Sequence, residues 1–437
     1  MKPQNILLII SLWVIGIMPI SAQTITATDS LSLKNILNSV LNNFPALRKN
    51  QQEINAADAR IGLAKTAYNP DVNFSSSYSH IGPVSSINFP GLGEFELYPS
   101  NNYSAAVNYN QMLYDFGKTA KNIELENQSK TLVGLSTEQI KQKLSLSVVS
   151  IYYVIVYLQE AVKIKDEQLK TLNEHLLFVE KKKATGSATQ YDVLTTKVRI
   201  SAIENQKTDL LSALKIQICQ MNSLIGQPEK TTLWVKEELQ DIVSVSQTDS
   251  LISTAMQMRQ ELKMVQQKTV LLEQRYKTVN TLYSPVLNVF ASGGVKNGYV
   301  PDLNKGKLNY VVGVGLRIPM FDAGRTKYNL LQIKADIESS KEDYEISRRT
   351  IVNEVVETET GVETALQKIA QTGLQMKQAE QANALAETSF KSGVITNLEL
   401  LDNSTALSEA KLQNLKAKID YSVSLLKFKI SLGEKLY

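Results

Sequence analysis

The chain states most of its sequence twice. Tyr114-Asp115-Phe116-Gly117-Lys118-Thr119 returns as Phe321-Asp322-Ala323-Gly324-Arg325-Thr326, and Leu224-Ile225-Gly226 returns as Ser431-Leu432-Gly433. Between them, Lys183-Ala184-Thr185-Gly186 through Leu194 returns as Phe390-Lys391-Ser392-Gly393 through Leu401. All three share an offset of 207, so about 110 residues of each half run in register without an insertion. Leu47 through Tyr68-Asn69-Pro70 matches Leu262 through Tyr283-Ser284-Pro285 at an offset of 215. The first copy therefore holds eight extra residues between Pro70 and Asp115. Such a period is far longer than a solenoid unit. The chain is a duplicated half-domain whose copies should occupy equivalent places in one fold.

Residues 1–22 read as a secretory signal peptide, with Lys2, an apolar run from Ile6 to Ile20, and small Ser21-Ala22 at the cleavage point. The first copy then spans 23–226, a linker 227–248 with Pro228 and Trp234, and the second copy 249–437. Cys219 is the single cysteine, so the exported protein folds without an internal disulfide. After the signal no apolar run reaches transmembrane-helix length. The nearest is Leu144–Leu158, and its copy carries Glu354, Glu357, Glu359 and Glu363, as a packed helix does. A net charge of +4 and the lack of a basic tract interleaved with aromatics argue against a nucleic-acid partner.

Within each copy the pattern changes from helix to strand and back. Leu31–Ala67 is helical, divided at Pro45. Val72, Phe74, Ser76 and Tyr78 then alternate with polar residues, as do Tyr103, Ala105, Val107, Tyr109, Gln111 and Leu113, which predicts strands over about 71–80 and 103–113. The second copy predicts strands over about 286–294 and 308–319, with a loop between each pair. Tyr103 and Tyr310 match, as aromatics at a membrane edge would. Beyond Gly117 and Gly324 come about 65 residues without proline, rods of roughly 100 Å if helical. They run to turns at Gly186 and Gly393, after which a second helix folds back.

Four strands of about ten residues can each cross a bilayer when tilted, yet an open sheet in lipid leaves its edge N–H and C=O groups unpaired. The sheet must close with strands from other copies. Eight strands from two chains would be filled by their own side chains, whereas twelve from three leave a lumen. The narrow apolar stripes of the rods suit the wall of a hollow tube. A secreted structural coiled-coil protein is the alternative, which strict heptads along the rods would favour.

The chain resembles the TolC-like outer-membrane efflux protein family over essentially the whole mature sequence. The resemblance rests on Asn43-Phe44-Pro45-Ala46-Leu47, on the corners Leu113-Tyr114-Asp115-Phe116-Gly117 and Pro319-Met320-Phe321-Asp322-Ala323-Gly324, and on both glycine turns. Its most specific piece is Phe390-Lys391-Ser392-Gly393 with Leu398-Glu399-Leu400-Leu401-Asp402 and Ala406-Leu407-Ser408-Glu409-Ala410. It implies a homotrimer forming a twelve-stranded outer-membrane β-barrel over a periplasmic α-helical barrel, in contact with outer-membrane lipid. It further implies a periplasmic adaptor and an inner-membrane pump of RND, ABC or MFS type.

Other motifs are weaker. Gly117-Lys118-Thr119 looks like the end of a phosphate-binding loop, but Met112 stands where that loop needs glycine. Asp115-Phe116-Gly117 lacks every other kinase element. His80 and His175 fall in separate elements, and no nucleophile gathers a base. No enzyme, metal or cofactor is expected.

The candidate site is the far end of the tunnel. Glu399 and Asp402 share a helix face, Asp192 duplicates Glu399, and threefold symmetry would make each a ring of charge favouring cations. The plainer reading is a set of acids in first helical turns, where the dipole favours them. In the family the closed tip is tied by a tyrosine and an arginine, whose positions match Phe390 and Ile395 here, neither able to make those bonds. The family also makes the turns Gly186-Ser187-Ala188 and Gly393-Val394-Ile395 the adaptor contact. The corners Tyr114-Asp115-Gly117 and Phe321-Asp322-Gly324 are expected at the periplasmic membrane edge.

Overall fold

The computed structural model describes residues 31–436 except Leu92 and 243–247. The expected signal peptide lies outside the described residues. The first copy runs α1 (Leu33–Asn43), α2 (Pro45–Lys65), β1 (Asp71–His80), β2 (Ser86–Phe89), β3 (Gly93–Glu96), β4 (Asn101–Tyr114), α3 (Lys118–Ala184) and α4 (Gln190–Ile225). The second runs α5 (Thr248–Met258), α6 (Gln260–Asn280), β5 (Val286–Lys296), β6 (Lys307–Arg317), α7 (Arg325–Lys391) and α8 (Asn397–Ser431).

The rods α3 and α7 are 67 residues each, about 100 Å at 1.5 Å per residue. Neither contains proline, and each is followed by its antiparallel partner, α4 or α8. Proline acts where it is tolerated. Pro45 begins α2 after an extended Phe44, so the helical stretch divides there without losing a hydrogen bond inside a helix.

The core is a belt midway along the rods. Ile36, Leu37 and Val40 of α1 pack on Val148, Val149, Tyr152, Tyr153, Ile155 and Val156 of α3, with Met221 and Ile225 of α4 and Leu426 of α8. The linker joins this belt. Leu31 pairs with Val235 as an isolated bridge, Leu233 and Val235 are buried, and Tyr152 and Tyr153 donate to the carbonyls of Lys236 (2.5 Å) and Glu238 (3.0 Å). The second copy repeats the belt with Leu262, Ile351, Val355, Val362, Tyr421, Leu425 and Phe428. One expectation is corrected here. α3 does hold an 18-residue window as apolar as a membrane span, with 56% of it buried in protein. The belt explains that apolarity: this part of α3 is enclosed by α1, α4, α8 and the linker, and so needs apolar residues on more than one stripe.

The strands form one antiparallel sheet in the order β1-β4-β5-β6. Register places Tyr78 opposite Tyr103, Phe74 opposite Val107, and Val295, Gly293, Ala291, Val289 and Leu287 opposite Leu308, Tyr310, Val312, Val314 and Leu316. The other face carries Asn73, Ser75, Ser77, Ser104, Asn108 and Ser292. Asn108 bridges this face, donating to Asn73 (3.0 Å) and Ser75 (2.9 Å) and accepting from Ser292 (2.9 Å). One sheet face is thus mainly apolar, the other mainly a polar hydrogen-bonded surface. The segment 81–102, expected as an irregular loop, contains the small hairpin β2–β3. It falls in the interval that holds the eight extra residues.

The duplication leaves a seam. Between the copies, β4 pairs β5, α3 packs on α6 and α3 packs on α8. The equivalent contacts by duplication are β6 with β1, α7 with α2 and α7 with α4, and among the described residues there is no comparable packing for any of them. Both unpaired edges of the sheet belong to that seam.

Candidate functional site

At the far end of the rods two turns share one local solution. Gly186 and Gly393 each adopt φ 77, where a side chain would be strained. The Ser187 amide reaches the Lys182 carbonyl (2.8 Å), and the Val394 amide reaches that of Ser389 (2.9 Å). Thr189 and Thr396 then cap the returning helices as reciprocal capping boxes. The Asp192 carboxylate accepts from the Thr189 amide (2.8 Å) and hydroxyl (2.7 Å), and that of Glu399 accepts from the Thr396 amide (2.7 Å) and hydroxyl (2.9 Å). Those bonds hold the Glu399 carboxyl below the usual carboxylate range.

The candidate residues do not form one uniform group. Gly186, Ser187, Gly393 and Val394 are exposed, while Ala188 and Ile395 are half-buried against the tip core. Asp402 is ion-paired within the chain to Arg199, Nη2 to Oδ1 at 2.8 Å. Sequence reasoning missed Arg199, although it lies seven residues after Asp192 and so on the same face of α4. Phe390 is held within the chain at the tip. It is only 8% exposed and packs inside the chain with Val179, Val193, Ala386 and Leu400. Its ring stands edge-on to His175 (5.1 Å) and Phe178 (6.1 Å), with the Lys182 ammonium 4.8 Å above it. It faces α3.

Asn397 ties three helices together. Its buried amide donates to the Asp192 carbonyl (3.1 Å) and the Thr196 hydroxyl (3.2 Å) of α4, while its carbonyl lies 2.7 Å from His175 Nε2 of α3. Burial pushes the His175 imidazole below its ordinary range, more than the Asn397 bond and the Glu387 charge raise it. A neutral ring donating through Nε2 satisfies the geometry.

The corners at the other end of the rods explain the misleading motifs. Phe116 and Ala323 adopt φ 54 and 56, followed by Gly117 and Gly324 at 86 and 81. Asp115 accepts from the amides of Gly117 (3.1 Å) and Thr119 (2.6 Å), and Asp322 from those of Gly324 (3.0 Å) and Thr326 (2.8 Å). The chain's own carboxylate occupies the amides that a phosphate would need. Tyr114 and Phe321 are exposed beside these turns.

The sequence model described as "Outer membrane efflux protein" matches residues 36–227 and 251–434. The chain belongs to that family. It is 19% identical over 401 residues to the outer membrane protein TolC of Salmonella enteritidis, covering 89% of this chain and 79% of that one. It is 22% identical over 307 residues to the alkaline protease secretion protein AprF of Pseudomonas aeruginosa, covering 68% and 64%. Among solved structures, CusC superposes with a TM-score of 0.76 at 17% identity, covering 92% of each chain. The outer membrane protein VceC of Vibrio cholerae gives 0.74 at 16% identity, covering 93% of this chain and 97% of its own. The protein is therefore an outer-membrane efflux-family channel component, with its strands in a membrane β-barrel and its long helices in a periplasmic tunnel.

Proposed function

We propose that three copies of this chain form the exit duct of a tripartite efflux or type I secretion system. An inner-membrane pump delivers substrate through a periplasmic adaptor, and the duct conducts it passively outward. The observation that carries this reading is the seam. Three kinds of contact between the copies have duplicates that the chain cannot make with itself, and all three would be met together by the next copy around an axis. Three chains give twelve strands, enough for a lumen.

In this reading the far tip is the gated end. Glu399 and Asp192, each held at a helix start, and Asp402, partly neutralised by Arg199, supply the acidic constriction. The exposed turns at Gly186-Ser187 and Gly393-Val394 form the adaptor contact. A groove of about 230 Å³ between α3, α7 and α8, lined by His175, Glu387 and Phe390, opens just behind them. The test is the detergent-solubilised mass together with conductance in planar bilayers. A mass of three chains and a water-filled, cation-preferring pore are expected; a mass of one or two chains overturns the reading. Replacing Glu399 and Asp402 by alanine should reduce cation preference, and unchanged selectivity would return these acids to simple helix-start residues.

A further inference from the structure

The polar face of the sheet changes character along its length. Rows running across the strands can be read from the register, because directly opposed residues share a face. From the periplasmic side they run Asp71–Asn110–Phe290–Gly313, then Asn73–Asn108–Ser292–Val311, then Ser75–Ala106–Gly294–Asn309. The last is Ser77–Ser104–Lys296–Lys307. With the helices in the periplasm, this last row is the extracellular one. On this face the inner end carries Asp71 and Arg317, the rows between are uncharged, and at the outer end two lysines stand directly opposite each other.

Like charges directly opposed on a sheet face destabilise it, so a structural account would expect a nearby acid. Among the described residues neither lysine forms an ion pair, and of the acids in the β2–β3 hairpin at the same end Glu94 accepts from Ser86. Asp302, the acid of the adjoining loop, is taken by Lys305 at 3.1 Å. Asp71, the acid on the same face, lies three rows inward, about 20 Å away at the strand rise. The two ammonium groups turn instead to the rim: Lys296 stands 5.2 Å from the Tyr299 ring centre, and Lys307 donates to the Val300 carbonyl (3.2 Å). Neither contact neutralises a positive charge. The apolar face behind the row carries Leu308 and Val295, so the amines belong to the water side and not to lipid.

We infer that Lys296 and Lys307 of every chain together form a basic collar at the extracellular mouth that binds soluble polyanions, such as multiply phosphorylated or sulfated molecules. The inference rests on the trimeric duct proposed above, in which the collar holds six ammonium groups. Clefts lined with one sign of charge raise the local concentration of the opposite ion by ten-fold or more. A polyanion spanning several lysines would occlude the exit from outside, and the pore would carry opposite charge preferences at its two ends.

The test uses the full-length protein inserted with known orientation in planar bilayers of neutral lipid. Inositol hexakisphosphate is added to one side at about 0.1 M salt, where charges are felt over about 10 Å, and again at about 1 M, where they are felt over about 3 Å. Block from the extracellular side at low salt, lost at high salt and absent from the periplasmic side, is expected. In the double variant K296Q/K307Q the half-blocking concentration should rise about ten-fold or more, and K296R/K307R should retain block. The sidedness of the wild-type block is an independent readout if the glutamine variant inserts poorly. No block, periplasmic block only, or equal block of wild type and K296Q/K307Q overturns the inference. A lipid-phosphate site would respond to lipid A added to the bilayer and not to the soluble probe, which also overturns it. A pore that conducts but ignores the probe leaves the duct intact; no pore at all defeats the duct itself.

Discussion

The two glycine turns show how far duplication carries and where it stops. In backbone terms they are interchangeable: the same φ at Gly186 and Gly393, the same capping box from Thr189 and Thr396, and an acid at the third helical position in each. Their surroundings differ. Lys183 and Phe390 are duplicates, yet Lys183 is exposed and bonds Gln190 beside the turn, whereas Phe390 is buried against α3. The cause is the seam, since α3 meets α8 inside the chain while the equivalent meeting of α7 and α4 is left open. Local sequence sets a turn; which of two equal turns receives a core depends on what stands next to it.

The sharpest break in that comparison is Phe390→Ala, which should cost about 3–5 kcal/mol for the lost aromatic and the cavity. Lys183→Ala should stay within about 0.5 kcal/mol. Hydrogen exchange of the tip amides or thermal unfolding reads both, and equal effects would mean that Phe390 does not anchor the tip. Removal of a cap should be symmetric instead: Thr189→Ala and Thr396→Ala should each cost about 1 kcal/mol. A difference well beyond that between the two would show that one turn is held from outside.

Acidity sharpens the comparison, because only the second turn is joined to a histidine. His175 is depressed by burial, so the unfolded chain binds its proton more readily than the folded one. The tip should therefore hold full stability above the ordinary value of 6.5 and lose it as the pH falls from there toward the depressed folded value. Exchange at Asn397 and Thr196 should quicken across that window, and His175→Gln should flatten the response. If exchange does not change with pH there, the buried neutral imidazole is not part of the tie. Among the tip's side-chain ties the smallest effect is that of Arg199→Ala. The pair with Asp402 is partly exposed, with side chains 30% and 62% accessible, and should contribute about 0.2–1 kcal/mol. Its electrical readout is clearer, since freeing Asp402 should raise cation preference; an unchanged preference would place Asp402 away from the conducting path.

Several parts of the fold were legible because they rest on short-range rules. Alternation of Leu308, Tyr310, Val312, Val314 and Leu316 marks a strand with one apolar face, and the proline-free run after Gly324 marks a rod. Other parts depended on a partner that no local pattern names. The hairpin Ser86–Phe89 with Gly93–Glu96 hid in a segment rich in glycine and proline. The apolarity of α3 near Tyr152 is set by α1 and the linker closing over it, which a search for one amphipathic stripe underestimates.

By itself the sequence determined the duplication, the order of rods and strands, both capped turns and both Asp-Gly corners. These are written in residues a few positions apart, where φ preferences, side-chain alternation and capping act directly. Tertiary structure alone decided that Asp402 meets Arg199, that Phe390 turns inward to His175, and that Lys296 stands opposite Lys307. Arg199 and Asp402 are 203 residues apart, and His175 and Asn397 are 222 apart. The physical reason is that charge and burial depend on distance in space, and only the packing of one copy against the other sets those distances.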